Sequence, residues 1–161
     1  MAGNALGLDF GTTNSVVALA GDDGSADLVD FHGLETASPV FRSALCFWEG
    51  HGVQVEAGPW AIAEYLEYPE GSRFIQSFKS VAASKAFEHA SVFGKRLRFE
   101  DLGRTFLERL VAHSGGQLDA RPERIVIGHP IEYAGNRPDR NEDQISPIPL
   151  RLLCPFDPTM T

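Results

Sequence analysis

The chain is 161 residues long, with 43% hydrophobic and 22% charged residues and a formal net charge of -8. That is room for one domain with its own core, and the acidic balance argues against nucleic acid or an anionic membrane surface as partner, since both would repel it. The opening MAGNALGLDF has no basic start and no long apolar core, and no stretch approaches the ~18 apolar residues of a membrane span, so the reading expects no signal peptide, no membrane contact and a cytoplasmic protein.

Leu6, Leu8 and Phe10 alternate with Gly7 and Asp9, the period of a strand with one apolar face. Ser15 to Ala20 is a second strand, and the turn residues GDDG (Gly21 to Gly24) lead to a third around Leu28 to Phe31. Together these predict an antiparallel meander. Ser43 to Trp48 and Val53 to Ala57 form two further strands around the turn EGHG. Cys46, within the first of them, and Cys154 share no CxxC or CxxH spacing and read as a strand residue and a tail residue.

Pro59 can open a helix in its first turn, with Ile62, Tyr65 and Leu66 on one side. The Ala- and Ser-rich stretch Phe78 to His89 is a candidate second helix. Between Glu100 and His113, Leu102, Phe106, Leu107, Leu110 and Val111 recur at steps of three and four, an amphipathic helix ended by Gly115-Gly116. RIVIG (Arg124 to Gly128) reads as a buried strand cut off by Pro130. Strands, then helix, then strand define an α/β fold with a mixed β-sheet. From Pro138 the periodicity stops: five of the ten prolines lie between Pro138 and Thr161, too many for a helix in a stretch too apolar for a solvated linker. The reading divides the chain into a domain over 1–137 and an atypical, Pro-rich tail over 138–161, expected to be out of frame or otherwise foreign to the domain.

The chemistry concentrates at LGLDFGTTNS (Leu6 to Ser15). Asp9 points away from the apolar face, Gly11 lets another group approach the backbone, and Thr12, Thr13, Asn14 and Ser15 supply hydroxyls, an amide and backbone N–H groups. Two readings fit: a strand with an ordinary polar turn, or an anion-binding turn beside a carboxylate that suits Mg²⁺ and a polyphosphate. There is no GxxxxGK[ST] and no GxGxxG opening a helix. Asp9-Phe10-Gly11 resembles the kinase metal-binding triplet but lacks the elements that should precede it. The histidines form no HxxxH pair and read against a metal cluster, His113 sits where it complements a helix dipole, and Phe41, Phe47, Trp48, Trp60, Phe74 and Phe78 read as core.

LGLDFGTTNSVVAL resembles the first phosphate motif of the actin-like (ribonuclease H-like) ATPases, in the form found in the DnaK-type seventy-kilodalton heat-shock chaperones. FRSALCFWEG, AGPWAIAEYLE, FIQSFKS and RPERIVIGHPIEY resemble later segments in the same order. RFIQSFKS, FGKRLRFEDL and IVIGHPIEYAG look closest to the DnaK-related YegD-like branch. The resemblance spans Leu6 to Arg137 and implies a partial actin-like ATPase domain, the first half only, with ATP or ADP and Mg²⁺ as cofactors. It implies that Asp9 holds Mg²⁺ through water, Gly11 is the close-approach glycine, and Thr12, Thr13 and Asn14 contact phosphates. Lys79, by itself a solvated helix lysine, falls where the family has the lysine that orients the attacking water. Pro130 matches a domain-coupling proline, although strand termination explains it equally.

The implied function is that of a heat-shock protein 70-like chaperone ATPase, with nucleotide, unfolded client proteins and co-chaperones as partners of the complete family. Alternatives are a sugar or acid kinase of the same superfamily, whose first motif also reads Asp-x-Gly-Thr-Thr, and a non-catalytic interaction module; FIQSFKS favours the chaperone branch. The family's second phosphate motif and adenosine motif are not in this sequence. A one-walled cleft forfeits the low-dielectric gain of a closed site, so this chain alone is expected to bind ATP weakly and hydrolyse it negligibly, with an apolar sheet face left uncovered.

Overall fold

A computed structural model describes residues 5–32, 36–78, 87–120 and 122–128. It is a strand-rich mixed α/β structure with two helices among the described residues. The first strand β1 (Ala5–Phe10) and β2 (Asn14–Ala20) pair antiparallel, and β3 (Ala26–Leu28) continues the meander. The third expected run divides at Val29-Asp30: Val29 N–H donates to Val17 O, and β4 (Phe31–His32) pairs instead with β5 (Ala37–Ser38). Next, β6 (Phe41–Arg42) returns to the first sheet beside the start of β2.

The hairpin of β7 (Ala44–Gly50) and β8 (Gly52–Ala57) turns at His51, as the EGHG signal predicts. Helix α1 (Gly58–Glu67) starts at Gly58-Pro59 and covers one face of this second sheet, where Ala61 meets Ala44 and Cys46. Gly58 has φ +65°, and a Cβ there would stand 2.6 Å from the Phe41 ring. The ring packs directly against the helix start because that position is glycine.

Strand β9 (Ser72–Gln76) completes the second sheet against β7, a strand not anticipated from sequence. Of the helix expected over Phe78–His89, residues 79–86 lie outside the described residues, and Phe87 to His89 are irregular. A second unanticipated hairpin joins β10 (Ala90–Val92) to β11 (Lys95–Leu97) through Phe93 and Gly94, both at positive φ. Such pairs match the twist of a two-residue hairpin loop.

Helix α2 (Phe99–Ala112) carries the stripe Leu102, Phe106, Leu107 and Leu110. Its start is held by Arg98 N–H donating to Asp101 Oδ2 at 2.8 Å, and its end by His113, followed by Gly115 and Gly116 at positive φ. The stripe packs on Leu6, Leu8, Phe10 and Val17 of the first sheet and on Leu45 and Phe47 of the second, making one core. Phe10 stacks on Phe106 with ring centroids 5.3 Å apart, and Phe41 meets Phe106 edge-on at 5.5 Å.

The last described strand, β12 (Arg124–Gly128), runs parallel to β1 and is, among the described residues, at the edge of the first sheet. Where a buried strand is expected, Ile125 and Ile127 turn toward the core, and Val126 on the other face is 56% exposed among the described residues. Register places Gly7, Ala18 and Leu28 on that same outer face, so the sheet has a partly uncovered apolar side among the described residues. No described helix is long and apolar enough to cross a membrane.

Candidate functional site

Strand alternation sets the site. Leu6, Leu8 and Phe10 of β1 enter the core, so Asp9 emerges on the opposite face, exposed at the carboxyl end of the strand. Parallel pairing puts Gly128 beside it, and a Cβ on Gly128 would lie 3.6 Å from Asp9 Oδ1. The carboxyl ends of neighbouring parallel strands are a recurrent place for ligands in α/β sheets, because the connecting chains diverge there and leave a crevice.

The turn from β1 to β2 occupies Gly11, Thr12 and Thr13. Gly11 is required sterically: a Cβ would collide with the Asn14 backbone carbonyl. Ser43 locks the turn from below. Its Oγ donates to Gly11 O at 2.8 Å, its backbone N–H donates to Thr13 O at 2.8 Å, and its hydroxyl also meets Ser15 Oγ at 3.0 Å. Ser15 and Ser43 are both buried; the Ser15 hydroxyl depends on Ser43, whereas Ser43 also has Gly11 O. With its inner side tied down, the turn holds Thr12 and Thr13 exposed, and their N–H groups donate to no described backbone carbonyl. Free N–H groups in a turn are the ingredients of an anion-binding nest.

Arg42 stands beside the turn, its Nη1 donating to Asn14 Oδ1 at 2.9 Å. A recess behind the turn is lined by Thr12, Thr13, Arg42, Ser43, Gln76 and Ser77, over an apolar floor of Ala44, Ile62 and Phe74. Its volume of about 20 Å³ accommodates a water or one oxygen of a larger ligand, not a nucleobase. Ser77, at the end of β9, has φ +55°, a left-handed conformation uncommon for a residue with a side chain.

Five of the sequence-predicted residues, Asp9, Gly11, Thr12, Thr13 and Asn14, therefore come together on one strand end and turn. Lys79 lies outside the described residues, as do Pro130 and the tail; the chain reaching Lys79 passes through Gln76 and Ser77 at the recess. Sequence reasoning missed Arg42 and Ser43. The signal was present in FRS, two polar residues just before the apolar run of β7.

No cluster of three or more His, Cys, Asp or Glu forms among the described residues. A single exposed carboxylate on the strand that leads into the Thr12-Thr13 turn still fits Mg²⁺, which keeps most of its waters and takes further ligands from a substrate's phosphates. Away from the turn, His113 Nε2 meets Glu56 Oε2 at 2.7 Å while its ring stacks on Trp60 at 3.6 Å, tying the end of α2 to β8 and α1. That is a structural role.

The chain matches no protein-family model, and no curated protein is significantly similar to it.

Proposed function

We propose that the Asp9–Asn14 turn is the phosphate-binding wall of an actin-like, heat-shock protein 70-type chaperone ATPase, with Mg²⁺ and ATP or ADP as its ligands. The observation that carries the reading is the turn itself. Gly11 is sterically obligatory, Ser43 fixes the backbone from inside, and Thr12 and Thr13 are exposed in the turn that follows the strand carrying the exposed Asp9. An ordinary polar turn requires none of these together.

In this reading Thr12 and Thr13 hold phosphoryl oxygens through N–H and hydroxyl groups, and Asp9 orients waters on the metal. Mg²⁺ supplies charge neutralisation of the polyphosphate when bound. Phosphoryl transfer depends chiefly on positioning and electrostatic stabilisation, and a single wall provides positioning without enclosure. This chain by itself accordingly binds weakly and turns over negligibly.

Calorimetric titration tests this. Mg·ATP and Mg·tripolyphosphate should bind with similar Kd on the order of 1 mM, equivalent to about −4 kcal/mol. Omitting Mg²⁺ or introducing Asp9→Ala should abolish the heat. Binding of Mg·ATP that is unchanged by Asp9→Ala refutes the assignment of Asp9.

A further inference from the structure

We propose that Arg42 turns the recess behind Thr12 and Thr13 into a phosphoryl-binding subsite, which seats one oxygen of a phosphoryl group, from a polyphosphate or a free orthophosphate, with the rest of the group at its mouth. The inference rests on the phosphate-wall reading and adds to it a ligand-binding cation outside the LGLDFGTTNS stretch.

The lining decides the sign of the ligand. Among the described residues Arg42 is the one charged residue lining the recess, and its polar companions are hydroxyls and an amide. Among the described lining residues a cation would meet a fixed positive charge and no carboxylate, whereas an oxyanion meets a guanidinium and several donors. Among the described residues no carboxylate pairs with Arg42, since the ion pairs present are those of Glu56 with Arg109 and His113. In a chain of net charge -8, an arginine held beside a ligand turn without a carboxylate partner retains its charge for a ligand.

Geometry supplies the rest. A guanidinium has five N–H donors, and the bond to Asn14 Oδ1 occupies one of them. That bond also anchors the side chain, so little rotamer freedom remains to be lost on binding. β6 pairs with β2 through Asn14↔Arg42, which keeps the guanidinium in register with the turn. The recess is sized for a phosphoryl oxygen rather than a ring, which places recognition on the phosphate and not on a base.

The test is ³¹P and ¹H–¹⁵N NMR titration of the full chain with orthophosphate and with tripolyphosphate, each with and without Mg²⁺. Wild type, Arg42→Gln, Arg42→Lys and Asp9→Ala are compared. Arg42→Gln retains a donor for Asn14 but no charge, and thermal melts check that each variant folds. Arg42→Gln should weaken both probes about 10- to 100-fold, the range expected for a lost charge-assisted hydrogen bond, with Arg42→Lys between it and wild type.

Tripolyphosphate binding that needs Mg²⁺ and Asp9 but changes less than twofold in Arg42→Gln overturns the subsite and leaves the phosphate-wall reading standing. Orthophosphate binding that depends on Arg42 while tripolyphosphate ignores Mg²⁺ and Asp9 supports the subsite and refutes that reading. No binding of either probe at 20-fold excess over the ~1 mM expected Kd overturns both.

Discussion

Ser43→Ala is the sharpest probe of how the turn is built. The substitution removes the donor to Gly11 O at 2.8 Å and the partner of Ser15 Oγ at 3.0 Å. Ser15 is fully buried, so its hydroxyl cannot turn to water and becomes an orphan. A lost hydrogen bond costs about 1 kcal/mol and an unsatisfied buried group about 1–3 kcal/mol, so the variant should lose roughly 2–4 kcal/mol. Ser15→Ala should cost only about 1 kcal/mol, because Ser43 then still donates to Gly11 O. In the double variant no orphan remains, and it should be about 1 kcal/mol less destabilised than the sum of the two singles. Urea unfolding followed by the fluorescence of Trp48 and Trp60 measures all three. Equal costs for the two single variants, or additivity within about 0.3 kcal/mol, would refute the lock. If the lock holds, Ser43→Ala should also loosen tripolyphosphate binding several-fold, because the backbone of Gly11 and Thr13 loses its inner restraint.

Gly58→Ala should cost about 2–4 kcal/mol in the same unfolding assay, since it combines a left-handed residue with a Cβ 2.6 Å from the Phe41 ring; a loss under about 1 kcal/mol would show that the ring and helix start shift freely. Burial pushes the Cys46 thiol above its ordinary pKa of 9.0, with Ser72 opposing the shift and Glu64 adding to it. The unfolded chain therefore ionises first, so the contribution of Cys46 is complete below pH 9 and is lost as pH rises through the higher folded value. The urea midpoint should fall more steeply above pH 9 in wild type than in Cys46→Ala, and parallel profiles would contradict the burial argument.

The parts of the fold legible in the sequence are those where side-chain period and punctuation agree. Leu6-Leu8-Phe10 alternates for a full strand, EGHG closes a hairpin, Pro59 opens a helix, and the Leu102 to Leu110 stripe ends at paired glycines. The split of the third strand depends on contacts no local window contains. Asp30 is held by Gln117, which takes its N–H at 3.3 Å and donates to its carbonyl at 2.8 Å across 87 residues. β9 was illegible because SRFIQ is too short for its alternation to outweigh the neighbouring polar residues. Phe93-Gly94 carries a hairpin turn in a dipeptide whose first residue is an unusual choice for positive φ. RIVIG reads as buried because an apolar run looks alike at the centre and at the edge of a sheet; only pairing separates the two, and among the described residues β12 pairs with β1 alone.

The same division holds in the candidate site. The residues proposed to face the ligand all lie within one short stretch, Asp9 and then Gly11 to Asn14, so their chemistry is readable directly. Those that hold them, Ser15 excepted, come from a segment nearly thirty residues away, where Ser43 restrains the backbone and Arg42 bonds Asn14. A turn fixed in this way has paid most of its ordering cost during folding, so ligand affinity depends on how many contacts one wall can make. That argues for weak binding, governed by phosphate charge and Mg²⁺ and indifferent to the base. A strong preference for ATP over tripolyphosphate in this chain would require a base-binding surface outside the described residues.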